Sequence, residues 1–121
     1  MKTALVIDDH VWMRRLACEF LQERSYETIE ACDCATALGM LADVHVDIVI
    51  TDILMAGMDG MEFIARLQRD RPELPIVAVS AGGGASRPYL DTALALGASA
   101  AVEKPFEPHE LLEPVDRLLN A

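Results

Sequence analysis

Apolar positions along this chain switch between two patterns. Short apolar runs closed by polar residues alternate with longer stretches in which apolar residues recur three and four apart. Thr3-Ala-Leu-Val-Ile-Asp8 is a run of the first kind and predicts a buried strand. Met13, Leu16, Ala17, Phe20 and Leu21 form one stripe at helical spacing, so a helix is expected from about Val11 to Arg24. Tyr26 to Ala31 reads as a weaker strand, with Thr28 and Ile29 β-branched, and Cys34, Leu38 and Leu41 mark a second helix. Val46 to Thr51 is the clearest strand, β-branched and nearly continuous, as a strand covered on both faces should be. A third helix is expected from Asp59 to Arg69, burying Met61, Ile64 and Leu67 or their neighbours. Leu74 to Ser80 predicts a fourth strand, with Pro75 at its start where a missing N–H does least harm. Ser86 suits the N-cap and Pro88 the first turn of a fourth helix. Leu90, Ala93 and Leu94 should face inward there, and Gly97 should end it. Ser99 to Glu103 is a fifth strand. Pro108 opens a fifth helix carrying Leu111, Leu112, Val115, Leu118 and Leu119, and Pro114 inside it predicts a kink or a frayed turn.

Five strands alternating with five helices imply an α/β domain with a parallel sheet covered on both faces. Right-handed crossovers restrict the possible topologies. A length of 121 residues fits one domain and leaves no space for a second, and no repeat, linker or low-complexity segment interrupts it. Apolar residues make up 52% of the chain, enough for one core of ordinary size. No apolar run reaches the roughly 18 residues that a membrane span needs, and the N-terminus lacks the form of a signal peptide, so a cytoplasmic protein is expected. The formal net charge of −10 opposes direct binding to nucleic acid, whose phosphates need Lys and Arg. Cys18, Cys32 and Cys34 are odd in number and form no C-x-x-C, which predicts reduced thiols.

The polar residues at the C-terminal ends of the strands carry the chemistry. Asp8-Asp9 closes the first, Asp52 the third, Ser80 the fourth and Lys104-Pro105 the fifth. In an open parallel sheet these ends converge on one rim, where ligands bind at the switch in strand order. Three carboxylates brought together repel one another unless a hard divalent cation sits among them, and Mg²⁺ accepts one or two carboxylates together with water and phosphate oxygens. A lysine supplies a point charge for a phosphoryl oxygen, a serine a short donor, and a carboxylate can accept a phosphoryl group as an acyl phosphate.

Asp8-Asp9, Asp52-Ile-Leu-Met55 with Gly57-Met-Asp59-Gly60, Ser80-Ala81 and Lys104-Pro105-Phe106 occur in this order and at this spacing, joined by Met13-Arg14-Arg15 and Leu96-Gly97-Ala98. Over its whole length the chain resembles the receiver domains of two-component response regulators. The resemblance implies a flavodoxin-like (βα)5 fold, doubly wound, with strands in the order 2-1-3-4-5, as a receiver domain without an output domain. It implies that Asp52 is the phosphoacceptor. Asp9, Asp52 and the backbone carbonyl of Leu54 would hold Mg²⁺ directly, with Asp8 acting through water. Lys104, before a cis Lys-Pro bond, would pair with the phosphoryl group, and Ser80 and the Ala81 N–H would donate to it. The donor would be a histidine kinase or histidine phosphotransfer protein, and the output a change in the surface formed by the fourth helix, fifth strand and fifth helix, read by a downstream protein. Such a domain is not an enzyme beyond its own phosphorylation and dephosphorylation, and is a monomer or a phosphorylation-dependent dimer.

Departures from the family pattern are specific. Ala56 stands where proline is usual, and Ala101 where an aromatic switch residue is usual. Ser80-Ala-Gly-Gly-Gly84 replaces a polar loop, and the stretch from Ser80 to Lys104 is about two residues longer than is common. Leu54 and Gly82, at the two variable positions beside the site, offer no side-chain acid or amide to orient water. The Gly82-Gly83-Gly84 run lacks the G-K-[ST] of a nucleotide-binding loop. His10, His45 and His109 are read as surface or partly buried imidazoles, and Trp12 as a partly buried aromatic. Two other functions remain to be weighed. An aspartate-nucleophile phosphatase would carry D-x-D on its first strand and a cap domain. Against a receiver-shaped interaction module working without phosphorylation stand the acid triad, Ser80 and Lys104, whereas Ala101 in the aromatic's place speaks for it.

Overall fold

The structure is a computed structural model and describes residues 1–53, 60–81 and 87–120. Strands and helices alternate as β1 (Thr3–Ile7), α1 (Val11–Glu23), β2 (Glu27–Ala31), α2 (Cys34–Asp43), β3 (Ile48–Asp52), α3 (Gly60–Asp70), β4 (Ile76–Ala81), α4 (Arg87–Leu96), β5 (Ala100–Lys104) and α5 (Pro108–Leu119). All strand pairs are parallel and the sheet order is β2-β1-β3-β4-β5, the order expected. Each predicted element is present, with ends displaced by up to two residues. β3 starts at Ile48 because Val46 and Asp47 lead in; the Asp47 N–H bonds the Thr3 carbonyl and the Asp47 carboxylate accepts the Thr3 N–H.

The period of two along each strand divides the core. Leu5, Ile7, Val49, Ile76 and Ala78 face α2, α3 and α4, where they meet Ala37, Leu41, Phe63, Ile64, Leu67, Leu90 and Ala93. Ala4, Val6, Ile48, Ile50, Val77, Val79, Ala100 and Val102 face the other way. They meet Ala17, Cys18 and Leu21 of α1 and Leu111, Leu112 and Val115 of α5. Continuous apolar strands are thus used on both faces.

Three expected contacts differ. Leu16 is 36% exposed, because it lies about 100° round the helix from Ala17; Cys18 takes its place in the core. Trp12 is 76% exposed, about 140° from Ala17 and on the solvent side. Leu94 is 42% exposed and lines an open groove instead of the core. α5 runs unbroken through the buried Pro114, at the cost of one ladder bond. α5 starts at a Glu107–Glu110 capping box, the Glu107 N–H donating to Glu110 Oε1 at 2.8 Å.

Two glycines are required by geometry. Gly97 has φ +125° just after α4, the C-terminal stop expected. At Gly60 an added Cβ would lie 2.5 Å from the Ile53 Cα, so α3 begins against the backbone that follows Asp52. Ser86, expected to cap α4, and the run Gly82-Gly83-Gly84 lie outside the described residues, as do Met55, Ala56, Gly57 and Asp59. No disulfide joins Cys18, Cys32 and Cys34. Among the described residues no helix is long and apolar enough to cross a membrane.

Candidate functional site

Strand parity brings the charged residues together. Asp52 shares the α1–α5 face of the sheet with Ile48 and Ile50, and Lys104 shares it with Ala100 and Val102. Asp8, directly after β1, continues the parity of Ala4 and Val6. The Lys104 Nζ donates to Asp8 Oδ2 at 2.6 Å and to Asp52 Oδ2 at 3.1 Å. All three side chains are largely withdrawn from solvent, with Asp8 at 7%, Asp52 at 9% and Lys104 at 14% exposure. Asp9 is exposed at the rim. Asp8, Asp9 and Asp52 each offer an oxygen within 4.8 Å of the others, a group able to hold a metal ion. The donors are hard carboxylate oxygens, and the exposed Asp9 leaves one side open to water, which suits a cation that keeps part of its hydration shell.

Burial lowers the affinity of Lys104 for its proton, but the bond to Asp8 and the charge of Asp52 outweigh it, so its pKa is raised. The ammonium therefore stays charged, one cation against three carboxylates.

The site is braced from behind by residues whose part was not evident in the sequence. The His10 N–H donates to Asp8 Oδ1 at 2.9 Å, and the His10 ring nitrogen caps α1 by accepting from the Met13 N–H. Arg14 donates from Nη1 to the Asp8 carbonyl at 2.9 Å and from Nε to Glu30 at 2.8 Å. The Thr51 hydroxyl donates to the Asp52 carbonyl at 2.9 Å. The signal available for His10 was its place two residues after an aspartate, where a carboxylate can close a local turn. The lysine peptide Lys104-Pro105 is cis, as expected. Phe106, immediately after, packs edge-on against Phe20 at 6.1 Å between ring centroids.

Ser80 stands apart. It has the parity of Ile76 and Ala78, so it belongs to the face covered by α2, α3 and α4. It is fully buried, and its Oγ has no hydrogen-bond partner among the described residues. Buried hydroxyls are rarely left so, because the lost hydration costs about 1–3 kcal/mol. Ala81 closes β4 in register with Lys104. Leu54 lies outside the described residues. The structure thus joins Asp8, Asp9, Asp52 and Lys104 at one end of the sheet, with Ser80 on the neighbouring strand.

The sequence profile of the response regulator receiver domain matches residues 4–116. Over 119 residues the chain is 38% identical to the response regulator GtcR of Aneurinibacillus migulanus, covering 98% of this chain and 48% of that one. It therefore spans about half the length of that regulator. The receiver domain of NtrX from Brucella abortus superposes with a TM-score of 0.91 at 32% identity, covering 98% of each chain. The chemotaxis response regulator CheY4 of Vibrio cholerae does so with 0.87 at 28% identity, over 98% of this chain and 99% of that one.

Proposed function

The chain belongs to the response regulator receiver domain family of two-component signalling, and from that premise we propose that Asp52 accepts a phosphoryl group from a phosphohistidine on a histidine kinase or histidine phosphotransfer protein. An Asp52 oxygen attacks phosphorus, the P–N bond breaks, and the imidazole leaves with the electron pair. The product is an acyl phosphate. The observation that carries this reading is the double pairing of Lys104 with Asp8 and Asp52, beside a buried Ser80 hydroxyl that has no hydrogen-bond partner among the described residues. Lys104 exchanges a carboxylate oxygen for a phosphoryl oxygen of like charge. Ser80 Oγ–H and the Ala81 N–H donate to the phosphoryl group, a charge-assisted bond for a hydroxyl that has none among the described residues.

Mg²⁺ is the cation the acidic cluster fits. Asp9, Asp52 and the Leu54 carbonyl would hold it directly and Asp8 through water, and it would supply charge neutralisation for the entering phosphoryl oxygens. The chain's own residues do the rest. Arg14 and the His10 N–H fix Asp8, and Lys104 holds the oxygen on the opposite side. Phosphorylation then changes the surface of α4, β5 and α5 through Ser80 and segment 82–86.

Incubation with Mg²⁺ and acetyl phosphate tests the reading. The expected product carries one phosphoryl group on Asp52, lost in base and in hydroxylamine, and absent from Asp52→Asn. Label on Ser80 or on a histidine would refute the assignment. No adduct with either acetyl phosphate or beryllofluoride would leave an interaction module that works without phosphorylation.

A further inference from the structure

Asp8 is held by its backbone as well as by its side chain. Its N–H donates to the Ala31 carbonyl of β2 at 3.2 Å, and its carbonyl accepts from Arg14 Nη1 of α1 at 2.9 Å. The His10 N–H and the Lys104 ammonium take its two carboxylate oxygens. Among these bonds, the one from Arg14 depends on a further residue. Glu30, just before Ala31 on β2, accepts from Arg14 Nε at 2.8 Å. A guanidinium is planar, so its Nε and Nη1 keep a fixed relation. With Nε pinned to Glu30, Nη1 is aimed at the Asp8 carbonyl. The Arg14 side chain is 15% exposed, so water competes little for either bond. Two neighbouring residues of the edge strand thus hold Asp8, Ala31 through its own carbonyl and Glu30 through Arg14.

Arg15 shows the same pairing without that task. Its Nε reaches the same Glu30 oxygen at 3.3 Å from a side chain that is 64% exposed. An ion pair serving only to hold α1 against β2 needs no bond to Asp8, and Arg14 makes one.

Charge and position predict opposite effects for Arg14. By charge alone, removing a cation close to the acidic cluster favours the entry of another cation. As a positioning group, Arg14 restrains the Asp8 peptide, and its removal loosens one wall of the cluster.

We propose that Glu30 is a positioning residue for the cation site, acting through Arg14 on the Asp8 peptide. Its effect on Mg²⁺ rests on the reading of the acidic cluster as the Mg²⁺ site; its hold on Asp8 does not.

Calorimetric titration of the full chain with Mg²⁺ alone, and exchange of the His10 amide in chelator, test the two parts. Arg14→Met and Glu30→Ala should each weaken Mg²⁺ binding by about five-fold. That is less than the roughly 10–100-fold that follows loss of a group orienting a direct ligand, because Asp8 would act through water. The double variant should be no weaker than Arg14→Met, since the two residues act in one line. The His10 N–H donates to Asp8 Oδ1, and its exchange should quicken in all three variants. Arg15→Met removes the same charge from the same helix and should alter the affinity by less than about two-fold. Asp116→Ala breaks the contacts with Arg24 and Tyr26 at the other end of α1. It should lower the melting temperature and leave Mg²⁺ affinity unchanged.

Mg²⁺ binding by Arg14→Met as tight as in the native chain, or tighter, would overturn the proposal in favour of charge alone. So would unchanged affinity in Glu30→Ala, additive losses in the double variant, or an equal loss in Asp116→Ala. Should Arg14→Met fail to fold, Glu30→Ala decides. Weaker binding with unaltered His10 exchange refutes the positioning role, and a change in both supports it. A native chain that binds no Mg²⁺ refutes the cation site, while quickened His10 exchange in the variants keeps the hold on Asp8.

Discussion

Replacing Lys104 by methionine separates what the lysine does for the fold from what it does for chemistry. The side chain keeps its reach but loses its charge. In the native structure its Nζ lies 2.6 Å from Asp8 and 3.1 Å from Asp52. Without it, three carboxylates whose oxygens lie within 4.8 Å of one another have no cation between them. Two like charges about 4 Å apart repel by about 4 kcal/mol at an effective dielectric of about 20. Breaking one partner out of a buried ion pair costs about 3–5 kcal/mol by the same physics. K104M should therefore be destabilised by about 3–5 kcal/mol in chelator at neutral pH, or on the order of 10–20 °C in melting temperature for a domain of this size. Mg²⁺ should restore much of that loss and raise the melting temperature further in K104M than in the native chain, because the ammonium no longer opposes its entry. Phosphorylation by acetyl phosphate should nevertheless stay defective, because no ammonium meets the phosphoryl oxygen. Thermal unfolding with and without Mg²⁺, beside mass spectrometry of the phosphorylated product, reads both arms. A K104M protein as stable as the native chain, with an equal response to Mg²⁺, would refute the view that Lys104 holds this cluster together.

Two further outcomes test other parts of the structure. Gly60→Ala places a Cβ 2.5 Å from the Ile53 backbone, so unfolding in urea should show a loss of about 1–3 kcal/mol; an unchanged midpoint would show that the start of α3 gives way freely. The Cys18 thiol is pushed up from 9.0 to about 11, chiefly by burial and then by the charge of Glu30. Its contribution to stability is whole below pH 9 and falls as pH rises through about 11, by on the order of 2 kcal/mol. Lys104, also raised, acts in the same direction. Cys18→Ala should flatten the alkaline part of the unfolding curve, and an unaltered slope between pH 9 and 11 would refute the assignment to this thiol.

The fold was legible because each local signal agreed with the others. β-branched runs, helical stripes and the punctuation at Pro75, Gly97 and Pro108 all point to one alternation of strand and helix. What could not be read was angular position at the margins of a stripe. Leu16 and Leu94 have the spacing of core residues, yet each lies off the centre of its buried face. Whether such a residue is covered depends on what stands opposite it, which the stripe alone does not specify. Pro114 shows the reverse case: a residue expected to kink or fray the helix is buried within an unbroken α5.

The site divides along the same line. Convergence of Asp8, Asp9, Asp52 and Lys104 follows from their places at strand ends, since parallel strands must present those ends together. Their pairing follows from parity, which is also written in the sequence once strand boundaries are known. Asp52 falls an even number of residues after Ile48 and Ile50, and Lys104 an even number after Ala100 and Val102, so both carboxylate and ammonium emerge on the α1–α5 face. Ser80 falls in step with Ala78 and emerges on the other. On the proposed phosphoacceptor reading, this opposition would carry a signal across the sheet. If Asp52 accepts a phosphoryl group as proposed, that chemistry lies on one face, whereas the Ser80 hydroxyl that would meet it belongs to the face of Ala78 and Ala101.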